Sequence, residues 1–236
     1  MPGSRALIHF DGMLRLAETL MELERQYNNP PRADEQKAVE GLRGGAAVLM
    51  VAAFEEFLKK TFVEHLSKLH TPLISKTIHF DNLPENMRVT GVFITLKNAL
   101  DGPEFVSTRR IDRLADIKRA AELIAAGLLD SKAFISTKGN PGPDTVKTLF
   151  RDIGIADIFI KVRPAFDRKW QRPESSTFLS DKLNEIVQRR HKVAHTASAL
   201  DIGRLDLREG IRFLKILAEI LDKELDKHVS EIIGTT

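Results

Sequence analysis

The chain has no cysteine. Disulfides, Cys-based zinc sites, iron–sulfur clusters and a thiol nucleophile are therefore excluded. Only one Trp (Trp170) and one Tyr (Tyr27) stand beside 13 Phe in 236 residues, which argues against a base-stacking platform of the single-strand-binding type. Long hydrophobic runs are also missing. The longest nearly uncharged stretch, Gly44 to Phe54, stops at Glu55 and Glu56, whereas a bilayer needs about 20 apolar residues. The opening residues MPGSRALIHF lack the apolar core of a signal peptide. A soluble, cytoplasmic protein is expected, with no membrane partner. Neither sign of charge dominates: 36 Lys/Arg against 33 Asp/Glu leave a net charge of +3. That balance admits a nucleic-acid partner without arguing for one. Walker A, HExxH, GxSxG and DxDxDG motifs are absent, and Gly139-Asn140-Pro141-Gly142 does not fit a dinucleotide-binding loop.

What is present reads as helix. Hydrophobic residues make up 42% and charged residues 29%, a globular balance, and the chain is long enough to bury a core without staples. Leu7, Phe10, Leu14, Ala17 and Met21 follow helix spacing over Arg5 to Tyr27, and Asn28-Asn29-Pro30-Pro31 ends the pattern. A second helix is expected from Arg32 to about Leu69, loosened at Gly44-Gly45. Two more follow, at Glu85 to Leu100 and Ile111 to Leu128, although Val89, Thr90, Val92, Ile94 and Thr95 favour strand. Thr137 to Pro143 reads as a loop, with Pro143 opening a short helix that ends near Gly154. Ile155 to Val162 fits strand or helix. Ser176 or Thr177 can cap a helix running to about Arg190, and Asp206 with Glu209 resembles a capping box opening a helix to about Ile232. That last helix carries two apolar stripes. One is Ile211, Leu214, Ala218, Leu221, Leu225 and Ile232; the other is Phe213, Ile216, Leu217 and Ile220. It must therefore bury two sides, as a central core helix or with one side against a second subunit.

One segment concentrates chemistry: Arg189-Arg190-His191-Lys192-Val193-Ala194-His195. Leu179, Leu183 and Ile186 set an apolar stripe that Arg190 continues, and an Arg at a core-facing position wants a carboxylate or a phosphate. Glu55 is the candidate carboxylate, since it interrupts the stripe of Val48, Val51, Ala52, Leu58 and Phe62. His191 and His195 share a helix face, whereas Arg190 and His195 lie about 140° apart on an ideal helix. Three readings follow. The first is a buried Glu–Arg pair with surface histidines. The second is a metal site through His191 and His195, which lacks an obvious third ligand. The third is metal-free phosphodiester cleavage, with His195 moving a proton and Arg190 holding a phosphate oxygen.

Arg190-His191-Lys192-Val193-Ala194-His195 is an R-x4-H motif with a polar residue after the Arg, near a helix end and before a long amphipathic helix. It resembles the HEPN superfamily of all-α ribonucleases. Gly45 to Lys59 is similar to the early helix of the RiboL-PSP-type HEPN group, with Glu55 at the matching Glu. Gly139-Asn140-Pro141 through Gly154-Ile155 resembles that group's middle segment. The resemblance implies an antiparallel helical bundle over residues 1–236, with a weakly matched helical insertion at about 72–134. It implies an endoribonuclease that uses Arg190 and His195 without metal or cofactor, with His191 and Glu55 as further site residues. It also implies a homodimer with facing motifs, a toxin or antiviral role, and an antitoxin or regulatory partner. Some members keep the fold and only bind nucleotides or RNA, so the alternative is a non-catalytic helical RNA-binding or protein-interaction module. Local charge agrees with an RNA partner. From Arg163 to His195 there are eight Lys/Arg against four Asp/Glu, whereas from Asp201 onward there are six against eight. Arg189 and Lys192 are the expected RNA-binding residues beside the motif.

Overall fold

The computed structural model describes residues 3–100, 109–135, 137, 139–196 and 199–234. Among these residues there is no strand, so the expected all-α class holds. The helices are α1 (Arg5–Glu24), α2 (Gln36–Leu66), α3 (His70–Ile74), α4 (Glu85–Leu100), α5 (Arg109–Ala125), α6 (Pro143–Asp152), α7 (Ile158–Trp170), α8 (Phe178–Thr196) and α9 (Arg204–Gly234). The chain divides into two compact units. The first comprises Met1–Thr61, Thr137–Val146 and Phe159–Asp222; the second comprises Phe62–Ser136, Lys147–Ile158 and Lys223–Thr236. The stretch at about 72–134 lies in the second unit.

In the first unit, the Ser4 hydroxyl accepts the Leu7 N–H at 3.1 Å and starts α1. Phe10, Leu14, Ala17 and Met21 then fall on one buried face. The rings of Phe10, Phe54 and Phe57 pack α1 on α2, with centroids 5.3–6.4 Å apart. A second aromatic cluster joins Phe166 and Trp170 of α7, Phe178 of α8 and Phe213 of α9. One buried ionic network ties three chain segments together. Glu24, 2% exposed, accepts Arg43 Nε at 2.8 Å and Arg204 Nε at 2.5 Å, and Arg43 also donates to the Asn29 side chain at 3.1 Å. In the second unit, Phe62 and Phe150 meet edge to face at 5.0 Å, and buried His65 faces Asp226 at 3.2 Å.

Several expectations change for physical reasons. α2 is not broken at Gly44-Gly45. The missing side chain of Gly44 instead lets α8 approach, because a Cβ there would lie 3.0 Å from Val193 and 3.4 Å from Ala199. α4 forms despite its β-branched residues, and the Thr95 hydroxyl turns back onto the Gly91 carbonyl at 2.5 Å within the helix. The ambiguous Ile155 to Val162 stretch enters α7, whose buried residues Ile158, Val162, Phe166 and Trp170 repeat every fourth position. Asp206 is not the cap of α9 but sits inside its first turn, accepting the Gly203 N–H at 2.9 Å. The apolar stripe of α9 proposed for a second subunit is largely covered by the chain itself. Phe213, Leu217 and Ile220 are all buried, and Ile216 is only part-exposed. α9 is a central core helix.

Candidate active site

α8 continues unbroken through the motif to Thr196, beyond the Arg190 end expected from sequence. Leu179, Leu183 and Ile186 are buried as their spacing requires, and the end of the helix is held against α2. Gly44 admits Val193 and Ala199, and the Glu40 carboxylate accepts the Ala199 N–H at 3.0 Å. Because the helix stays regular, Arg190 and His195 remain on different faces.

Arg190 turns toward the loop that precedes α6. Its Nη2 donates to the Gly139 carbonyl at 2.5 Å. Gly139 holds φ +70°, a conformation that glycine adopts without strain, and this carbonyl thereby faces the guanidinium. In the same loop, buried Thr137 donates its hydroxyl to Glu55 Oε1 at 2.7 Å. Lys59 Nζ donates to that oxygen at 2.7 Å, which leaves Oε2 without a partner among the described residues. Glu55 and Arg190 therefore do not form the direct ion pair expected from the two apolar stripes. The loop connects them, and their charges still interact. Burial pushes the Glu55 carboxyl up, but the hydrogen bonds from Lys59 and Thr137 and the charges of Lys59 and Arg190 outweigh it and hold it below its ordinary value. Glu55 is thus a carboxylate at neutral pH.

The two histidines present a pair of imidazoles. Their rings lie 6.4 Å apart and 13° from parallel. His195 is exposed, and neither ring has a hydrogen-bond partner among the described residues. Partial burial of His191, with the nearby charges of Arg190 and His195, lowers its pKa from the ordinary value and favours the neutral ring. No group of three His, Asp or Glu side chains placed to hold a metal ion occurs among the described residues, so the His191/His195 pair has no third ligand there.

The basic excess on α7 and α8 is mostly matched by carboxylates. Arg163 pairs with Asp167, Lys169 with Glu219, Arg172 with Glu209, and Lys182 with Glu185 and Glu209. Arg189 is held by Glu185 at 2.5 Å and Asp206 at 3.0 Å, so it acts first as a clamp between α8 and α9. Lys192 reaches Asp201 at 2.7 Å, an exposed and exchangeable pair. Among the described residues of that stretch, Arg168 and Arg190 alone lack a carboxylate within pairing distance. Thr137, Lys59 and Gly139 join the site only in the folded chain. The i,i+4 spacing of Glu55 and Lys59 was visible, but the Thr137 and Gly139 contacts need the loop to fold back onto α2 and α8.

The first unit therefore defines an all-α protein with an Arg–His–His group beside a fixed carboxylate, all supplied by α2, α8 and one loop. The RiboL-PSP-HEPN family model matches residues 15–227, and the chain belongs to that family. Glu55, Arg190, His191 and His195 lie inside the matched stretch. No curated protein matches significantly, and neither does any solved structure.

Proposed function

We propose that this chain is a metal-independent endoribonuclease whose site is built on Arg190, His191, His195 and Glu55. The observation that carries this reading is the open state of the motif. Among the described residues Arg190 has no carboxylate partner and the rings of His191 and His195 have no hydrogen-bond partner, while neighbouring Arg189 and Lys192 are paired with carboxylates. A guanidinium with unused donors suits a phosphate, and paired imidazoles suit proton transfer at neutral pH.

In the proposed reaction the ribose 2′-oxygen attacks the adjacent phosphorus, and the bond from phosphorus to the 5′-oxygen breaks. Neutral His191 is the ring suited to take the 2′-hydroxyl proton, and His195, entering the complex with a proton, donates it to the leaving 5′-oxygen; exchange with solvent resets both rings before the next turnover. Arg190 stabilises the charge that develops on the phosphoryl oxygens. Glu55 acts through position: it fixes the Thr137 loop, whose Gly139 carbonyl aims Arg190. The products are a 2′,3′-cyclic phosphate and a 5′-hydroxyl, and DNA, which lacks the attacking group, is not cleaved.

The divergence of Arg190 and His195 around a regular helix further supports a homodimer in which facing motifs complete each other. Membership of the family supports a cytoplasmic toxin or antiviral role under the control of an antitoxin or regulatory protein. The test is incubation of the purified chain with RNA in EDTA. Cleavage to cyclic phosphate ends is expected in the wild type and not in His195→Ala. Activity lost on chelation and restored by Zn²⁺ would favour His191 and His195 as ligands instead. For the dimer, mixing inactive Arg190→Ala and His195→Ala chains should restore part of the activity; a fully active monomer would exclude it.

A further inference from the structure

Trp170 ends α7 fully buried, with its indole N–H donated to Glu174 at 2.9 Å. Two guanidiniums use its ring as a platform. Arg212 of α9 lies 4.6 Å from the ring centroid and Arg172 lies 5.8 Å away. Backbone and side-chain bonds fix both further: Arg212 Nη2 donates to the Trp170 carbonyl at 2.8 Å, and Arg172 Nη1 to Glu209 at 3.0 Å. Together with Arg208, one turn before Arg212, they line a cavity of about 420 Å³ with Leu205 at its rim. Glu209 is the single carboxylate in that lining, and it is shared with Lys182. Arg208 is exposed and has no ion-pair partner among the described residues. The cavity is therefore net positive, and two of its three guanidiniums, those of Arg172 and Arg212, are oriented before any ligand arrives. An oriented guanidinium fork matches a phosphate bidentately.

A second cavity, of about 540 Å³, shares Arg208 with the first and is lined from α1 by Arg15 and Arg25. Its carboxylates are already engaged, Glu18 by Lys215 and Glu22 by Arg25. Two basic cavities that share one arginine fit a chain of phosphates better than a single one.

We propose that Arg172, Arg208 and Arg212 form a second anion site, outside the Arg190–His195 motif, that grips backbone phosphates of an RNA. The site stands on its own geometry; only the identity of the phosphate's owner rests on the RNA-cleaving reading. Its contribution is affinity and placement of long substrates, because phosphate contacts position a strand without reading its sequence.

The test uses the full chain with a fluorescent, 2′-O-methylated single strand of about 20 nucleotides, which binds and cannot be cleaved, over a range of salt. Arg208→Glu should weaken binding about tenfold, and Arg172→Ala with Arg208→Ala should lower the salt slope by about two. Arg212→Lys, which keeps the charge and loses the stacked fork, should fall between these variants and the wild type. Cleavage of a dinucleotide, whose single phosphate is the one being cleaved and leaves none for a second site, should stay at the wild-type rate in every variant. Unchanged binding of the long strand by a folded Arg208→Glu chain would overturn the proposal. So would a loss confined to free 5′-AMP, which would make the ligand a mononucleotide, or a loss confined to an acidic peptide, which would make it a protein. A chain that binds RNA through these arginines but cleaves none would remove the nuclease reading and leave the anion site standing.

Discussion

Two carboxylate–arginine clusters lie in the first unit, and they are finished to different degrees. At Glu24 both carboxylate oxygens are used: Arg43 takes Oε1 and Arg204 takes Oε2. Arg43 is 3% exposed, and its remaining reach goes to Asn29. At Glu55 one oxygen receives Lys59 and Thr137 while the other has no partner among the described residues. Arg190 makes a single bond to a carbonyl, and the neighbouring histidines make none among the described residues. Burying a charge without partners is costly, so a cluster that only holds the fold together is driven toward complete pairing. A cluster that must receive a ligand keeps donors and acceptors in reserve. The composition of the two groups is similar, and what separates them is the bonds left unmade.

The two clusters should respond differently to loss of a charge. The largest effect is expected in cleavage: Arg190→Ala or His195→Ala should lower the rate about 10²–10⁴-fold with the melting temperature nearly unchanged. Unfolding of either variant would mean that the motif is structural. The next largest falls on the other cluster. Glu24→Gln leaves buried Arg43 without its countercharge and should cost about 3–5 kcal/mol, read from chemical denaturation. Glu55→Gln, at a site with fewer satisfied bonds, should cost far less stability, and a comparable loss would erase the distinction.

Gly44→Val should move the motif without touching it. The new side chain would press on Val193, and such overpacking costs about 1–3 kcal/mol. Cleavage should fall by more than that stability loss accounts for, because the end of α8 is displaced. The smallest effects concern pH. His191 has a lowered pKa, so it stays neutral and able to accept a proton further into acid than an ordinary histidine; the rising limb of kcat/KM should sit below the usual His value of about 6.5. His191→Ala should abolish or move that limb. Glu55 also has a lowered pKa, so its contribution to stability is present above the unfolded value near 4.3 and is lost as pH falls through the folded one. The stability difference between wild type and Glu55→Gln should therefore shrink on acidification. A difference that grows toward low pH would show that the carboxylate is not favoured by its surroundings.

Much of the all-α architecture and the motif was legible in the residues. Apolar positions at helix spacing located α1, α4 and α9 closely, because burial of one face imposes a period that survives in the sequence. The R-x4-H motif and the lone Glu55 within an apolar stripe were visible for the complementary reason: charged groups at core-facing positions break that period. Partner choice was less legible. Sequence paired Glu55 with Arg190, while the fold routes the contact through Thr137 and Gly139, across 82 and 51 positions of chain. The buried glutamate–arginine pair exists, but at Glu24 and Arg43.

The second apolar stripe of α9 shows the same limit. Its residues announced that they would be covered, and the tertiary structure decided that the same chain covers Phe213, Leu217 and Ile220. Introducing Asp at Ile220 would therefore be expected to damage the core of the chain and not to split a dimer. Local periodicity determines which residues seek burial, because each helix carries its own 3.6-residue repeat. Only the folded chain determines which surfaces meet and which polar groups keep an open bond, because those depend on distances between segments far apart in sequence.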